Sequence, residues 1–214
     1  MAARPTPWRF CAWRVAIAAR HAQKQHGLGR VAIVDFDVHH GNGSQDIFWA
    51  DKTVMYGSTH QMPLYPGTGA KGERGEHNTV VNAPLRAGDG GDKFRAALDS
   101  SILPRLRDFK PDLMVISAGF DAHRRDPLTD LGLTSGDFAD LTAALAELVP
   151  PGRRLAFLEG GYDLDALRDS AAAALTALAG DGMHPEAPTG GGPGRDMVTA
   201  ALVTHERAVE RERF

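Results

Sequence analysis

Short runs of β-branched and other apolar residues, each closed by polar residues or glycine, alternate along this chain with stretches whose apolar positions recur at helical spacing. Val31 to Val34 is apolar throughout, as a parallel strand buried on both faces must be. Thr53 to Ser58, Asn78 to Asn82, Leu113 to Ser117 and Leu155 to Leu158 are its predicted partners. Val15, Ala18, Ala19 and Ala22 mark a helix over residues 12 to 26 that ends at His26-Gly27. Phe94, Leu98, Ile102 and Leu106, four apart, mark another, which Pro104 should bend. Phe138 to Val149, capped near Thr134 or Ser135, and the alanine-rich Leu164 to Leu178 complete the helices. Strands alternating with helices predict an α/β fold in three layers with a mostly parallel sheet. Ligands gather beyond the C-terminal ends of strands in such sheets, so the residues after each apolar run are the candidates for chemistry.

Thr59 to Gly75 is rich in Gly and Pro and has neither period, which predicts a long functional loop. Gly180 to Gly194 has the composition of a disordered linker, and Met197 to Phe214 that of a short charged helix. The expected organisation is therefore one unit over residues 1–179 and a tail over 180–214. With 43% hydrophobic and 24% charged residues, the 214-residue chain suits one globular core. A net charge of -3 offers no basic footprint for phosphate backbones, which argues against nucleic acid as a direct partner. Cys11 is the only cysteine, so internal disulfides are excluded and a reducing compartment is expected. Charges interrupt every apolar run of MAARPTPWRFCAWR, so neither a signal peptide nor a membrane span is predicted, and the expected location is the cytoplasm.

The strand from Val31 ends in Asp35-Phe36-Asp37-Val38-His39. If strand periodicity continues, Asp35, Asp37 and His39 share one face, while Phe36, Val38 and His40 share the other. A buried carboxylate without a partner is costly, which points to a cation. Taken alone, the pattern is equally met by carboxylates capping backbone amides beside a hydrogen-bonded core histidine. Asp121, directly after LMVISAGF, places a second acid at an equivalent strand end. Two Asp and one His form an oxygen/nitrogen set acceptable to zinc or ferrous iron, with coordination positions left open. At a third strand end, Glu159-Gly160-Gly161-Tyr162 pairs two glycines, which let backbone approach a ligand, with a phenol able to donate to an oxyanion. His60 and His123 are expected on solvated loops, and Asp126, before Pro127, as a turn former.

The motifs VDFDVHHGNGSQDIF, STHQMPLYPGTG, PDLMVISAGFDAHRRDPL and LEGGY, in this order, resemble the histone deacetylase family, notably its class II and bacterial deacetylase-like members. The resemblance spans about residues 10 to 178. It implies the arginase/deacetylase fold and a zinc-dependent amidohydrolase that removes acetyl groups from N-acetyl-lysine or related acetylated amines. By motif position it implies Asp37, His39 and Asp121 as zinc ligands, with ferrous iron as the alternative metal, and Tyr162 as the catalytic residue that polarises the acetyl carbonyl. Asp35 and Ser58 fall at the family's monovalent-cation site, occupied by potassium, with backbone carbonyls near Asp37, His39 and Thr59. Phe10 and Tyr65 correspond to walls of the substrate tunnel, and Gly160 and Gly161 to its floor.

The chain departs from the family at its start. The family's Pro-Gly-His-His segment, which carries the general base, has no counterpart in MAARPTPWR. The N-terminal part of the catalytic domain is therefore expected to be missing, as in a truncated gene product, and turnover to be weak or absent. Three functions follow: a deacetylase of acetyl-lysine peptides or acetylpolyamines, a non-catalytic acetyl-lysine binder, and a ureohydrolase-like enzyme. The last normally needs two metals and more Asp/His pairs than one DxH with one distal Asp provides.

Overall fold

The computed structural model describes residues 12–192. Phe10, and the helix expected after Met197, lie outside the described residues. Five parallel strands, β1 (Val31–Asp35), β2 (Val54–Gln61), β3 (Val80–Leu85), β4 (Leu113–Ala118) and β5 (Arg154–Leu158), form one sheet in the order β3-β2-β1-β4-β5. The chain winds outward from β1 through β2 to β3, then returns beside β1 with β4. The β1/β4 boundary is thus a topological switch point, the place beyond the strand C-termini where ligands gather in open α/β sheets.

The two faces of the sheet carry separate cores, because successive side chains of each strand point to opposite sides. Val31, Ile33, Tyr56 and Val115 pack against α1 (Ala12–His26) and α2 (Asn42–Phe48), whose Val15, Ala19 and Phe48 are buried. Ala32, Val34, Met114 and Ile116 pack on the other face against α3 (Gly91–Ala97), α4 (Leu103–Phe109) and α5 (Ser135–Ala146), while α6 (Leu164–Ala179) adds Ala174. The result is the expected three-layer arrangement. The bend expected at Pro104 takes the form of a π-helical turn, Leu98–Ile102, just before the proline. Proline lacks the N–H for the helical ladder and its ring crowds the preceding turn, which a widened turn relieves.

Some boundaries differ from those the periodicity predicts. β2 runs on past Ser58 through Thr59, His60 and Gln61, all buried, because these polar side chains have hydrogen-bond partners in the interior. β3 accepts Pro84 because it is an edge strand. At the opposite edge, Leu155 and Leu158 of β5 are exposed, and Leu155 and Phe157 line an open groove with Ile17 and Ala18 of α1. α2 has no apolar stripe that would predict it; its inward positions include Ser44 and Gln45.

The expected disorder after Gly180 does not extend to residues 184–191, which lie along the N-terminal ends of α3 and α5. Thr189 N–H donates to Asp137 Oδ1 (3.0 Å) and Gly191 N–H to Asp92 Oδ1 (2.9 Å). Thr189 Oγ1 donates to Asp137 Oδ2 (2.7 Å) and accepts the Gly91 N–H (2.9 Å). Composition misses this segment because polar groups of the body hold it, where a hydrophobic stripe is lacking.

Candidate metal centre

Asp37 and Asp121 follow adjacent strands, two residues beyond Asp35 of β1 and three beyond Ala118 of β4. Past Asp35 the chain leaves β conformation in two successive turns closed by side chains. Asp37 N–H donates to Asp35 Oδ1 (3.1 Å) and His39 N–H to Asp37 Oδ1 (2.8 Å). Asp121 Oδ1 accepts the Val38 N–H (3.0 Å), which ties the β4 loop to the β1 loop. One donor atom each of Asp37, His39 and Asp121 then lies within 4.8 Å of the others.

His39 Nδ1 sits 3.0 Å from Asp37 Oδ1 and 3.1 Å from Asp121 Oδ2. Hydrogen bonds to Asp121 and then Asp37 push the imidazole pKa up to about 10. Burial, with the charge of Asp37 beside it, raises that of Asp121. A proton thus occupies the point where three donors converge, a point equally suited to a divalent cation. Gly119 and Gly160 keep that space open: a Cβ at Gly119 would meet the Asp37 carboxylate, and one at Gly160 the carboxylates of Asp121 and Asp37. Two acids and an imidazole in this geometry fit zinc or ferrous iron.

Asp35 does not join this cluster. Its buried carboxylate accepts Tyr56 Oη–H (3.0 Å) and the Asp37 N–H, and burial, followed by the charge of Asp37, raises its pKa well above the usual carboxylate range. Ser58 is its register partner on β2. His60 Nε2 faces the Gly69 carbonyl (3.1 Å) and must carry the ring proton, so Nδ1 accepts the Ser58 hydroxyl (2.9 Å). Burial, with the nearby His40 charge, lowers the His60 pKa to about 3 and keeps the ring neutral. A buried carboxylate and a hydroxyl oxygen, with no cationic side chain bonded to Asp35 among the described residues, fit a hard monovalent cation.

His40 lies on the Tyr56 side of the sheet, 6.1 Å from that ring, with Thr68 and Gln45 as partners (2.7 and 3.1 Å). Alternation predicts the opposite face for it, but the turns after Asp35 cancel the strand period. The expectation of solvated loop histidines also fails. His60 belongs to β2 and is buried, and His123 is fully buried with Nε2 2.8 Å from Glu186 Oε2.

Tyr65 is exposed, its ring 6.5 Å from that of His39. Tyr162 is exposed as well, and its N–H donates to Asp126 Oδ2 (2.8 Å). Gly161, at φ 126°, turns the chain just before Tyr162 in a conformation open only to glycine. Asp126 is therefore more than a turn former: Oδ1 takes the Leu128 N–H (3.0 Å), while Oδ2 anchors Tyr162. The Asp-Pro pair signals the turn, but the anchoring depends on β5 lying beside β4, which spacing does not reveal.

A parallel α/β sheet with a two-Asp, one-His cluster at its switch point defines a candidate metal-dependent enzyme. A family model for the histone deacetylase domain matches residues 8–178. Histone deacetylase 10, chloroplastic, of Oryza sativa subsp. japonica is 46% identical over 182 residues, covering 82% of this chain and 41% of that protein. Polyamine deacetylase HDAC10 of Mus musculus is 39% identical, covering 82% of this chain and 28% of its own. The solved HDA15 HD domain superposes with a TM-score of 0.79 at 39% identity, over 88% of this chain and 53% of that one. The chain belongs to the histone deacetylase family and has the arginase/deacetylase fold; it spans about half, or less, of the length of these relatives. Among the described residues, no helix is long and apolar enough to cross a membrane.

The pKa shifts set a pH dependence. A group whose folded pKa exceeds its unfolded value stabilises the fold below the unfolded pKa and loses that effect as pH rises through the folded one. For His39, with the ordinary 6.5 raised to about 10, the metal-free protein is expected to lose thermal stability steadily between those values. A bound metal replaces the proton, so the zinc-loaded protein should show a much flatter profile. Calorimetric melting temperatures with chelator and with zinc check this; parallel profiles would contradict it.

Proposed function

We propose that this chain holds the metal-binding half of a deacetylase centre for N-acetyl-lysine or related acetylated amines. The convergence of Asp37, His39 and Asp121 around one point at the switch of the sheet carries this reading. These residues would hold zinc, with ferrous iron as the alternative, and the metal supplies Lewis-acid polarisation of an acyl oxygen and activation of water. Asp35 and Ser58 would hold potassium directly behind them. Tyr162 donates its phenolic proton in a hydrogen bond to the acetyl oxygen as negative charge develops there. Tyr65 flanks the amine stem, and Gly160 and Gly161 form the floor, leaving the backbone close enough for the acetyl group to reach the cluster.

The proton-transfer side of the reaction is weaker. His40, His60 and His123 have partners elsewhere, and burial lowers the pKa of His40 and His60. None of the three is available as a general base at the cluster. Losing a positioned base costs roughly 10²- to 10⁴-fold in rate, so binding of acetylated amines with slow turnover is the expected behaviour. The mouse polyamine deacetylase and the rice histone deacetylase are both similar to this chain, which supports acetylated amines as a class. A reducing compartment such as the cytoplasm suits the single Cys11.

Acetate release from an acetyl-lysine peptide and from an acetylpolyamine by the zinc-loaded chain tests the proposal. Slow release is expected, falling a further ~10²-fold in Tyr162→Phe, as when one oxyanion donor is removed. Binding without release would favour the acetyl-lysine binder, and neither binding nor release would end the deacetylase reading.

A further inference from the structure

We propose that residues 184–191 form a clasp that positions the metal-ligand loop, with Glu186 as a positioning residue acting through His123; this rests on the metal-binding reading above. His123 is fully buried two residues after Asp121. Its Nδ1 accepts the Arg125 N–H (3.2 Å), so the ring proton is on Nε2 and is donated to Glu186 Oε2 (2.8 Å). Arg124 donates to the other oxygen, Oε1 (2.6 Å). One carboxylate therefore grips two consecutive residues of the loop.

The gripped residues sit between the two functional acids of that loop. On one side, His123 N–H donates to the Phe120 carbonyl (3.2 Å), and Leu133 N–H to the Ala122 carbonyl (3.2 Å), fixing the backbone on either side of Asp121. Thr129 Oγ1 donates to the Asp121 carbonyl itself (2.7 Å). On the other side, Asp126 N–H donates to the His123 carbonyl (2.8 Å), and Asp126 in turn anchors Tyr162. A displacement of His123 is transmitted to the metal ligand and to the tyrosine together.

The clasp has its own fixed footing. Glu186 N–H donates to Ser135 Oγ (3.1 Å), and Thr134 Oγ1 donates to the Ala187 carbonyl (2.8 Å). Thr189 and Gly191 are held by Asp137 and Asp92, as described above. The loop is thereby referenced to the first turns of α3 and α5, whereas the other two residues of the cluster, Asp37 and His39, stand on the separate loop that follows β1.

Cobalt is the probe, since its visible spectrum reports ligand geometry. Glu186→Ala is expected to weaken cobalt binding by up to about tenfold, because it acts one residue behind a ligand loop and loss of a ligand's direct partner costs 10- to 100-fold, and to change the cobalt spectrum. Glu186→Gln, whose amide oxygen still accepts from His123 Nε2, should restore most of both. A purely stabilising contact would lower the melting temperature and leave the spectrum of the folded chain unchanged. In the metal-free protein, Glu186→Ala should speed amide hydrogen exchange at Arg125, Asp126, Leu133 and Tyr162. Exchange increased only within 184–191, or a wild-type cobalt spectrum in Glu186→Ala, would overturn the clasp. A wild-type chain that binds no cobalt would refute the metal reading, while the exchange comparison would still decide the clasp.

Discussion

Asp121→Asn is expected to lower zinc affinity by more than about 100-fold, because losing even a partner behind a ligand costs 10- to 100-fold. The substitution is nearly isosteric, and the amide oxygen can still accept the Val38 N–H that Oδ1 accepts now. The amide nitrogen then faces His39 Nδ1, where the anionic Oδ2 lies 3.1 Å away in the native chain. The fold is kept while one of two anionic ligands becomes a neutral donor. The His39 pKa should fall as well, since Asp121 is the largest cause of its rise. Competition with a chromophoric chelator measures the affinity, and NMR titration of the His39 ring measures the pKa. Zinc affinity unchanged in a folded Asp121→Asn chain would remove Asp121 from the site.

Gly160→Ala is the second substitution with a large expected effect. Its methyl group would lie against the carboxylates of Asp121 and Asp37, neither of which can withdraw freely. Asp121 is tied to Val38 N–H and Asp37 to His39 N–H. Overpacking of this kind costs about 1–3 kcal/mol, and the methyl also occupies ligand space, so zinc affinity should fall at least about tenfold. Gly72 is the control: a Cβ there meets nothing, and Gly72→Ala should leave both quantities unchanged. Chemical denaturation and the same chelator competition read the two effects. A Gly160→Ala chain that matches the Gly72→Ala control in both would show that the space is not used.

The sequence makes the centre of this site legible because of where its residues stand. Asp37, His39 and Asp121 each follow an apolar run that can only be an interior strand, and parallel strands deliver their C-terminal residues to one edge. The Gly-Gly of 160–161 announces close approach for the same reason. What period-two alternation cannot show is the path beyond the last ladder hydrogen bond. The turns at Asp35 and Asp37 reverse the expected side of His40, and the continuation of β2 takes His60 out of a loop and into the interior. α2 hides because its buried face is polar. Glu186 hides because its partners, His123 and Ser135, are 63 and 51 residues away in sequence, and its own neighbourhood has the composition of a linker.

The division between the two carboxylates of the strand end follows from the same turn. Asp35 stays within β1 and faces Tyr56, while Asp37 swings toward Asp121, so two acids two residues apart have different surroundings. Asp35 is therefore not expected to join Asp37, His39 and Asp121 in holding a metal.

Calorimetric titration of zinc into the metal-free protein, in two buffers of different ionisation enthalpy at pH 7.5, tests the central claim most directly. The geometry predicts one zinc per chain at Asp37, His39 and Asp121. About one proton should be released for each zinc bound, because His39, with its pKa near 10, is protonated at that pH until the metal displaces the proton. No binding, or binding that releases no proton, would contradict it.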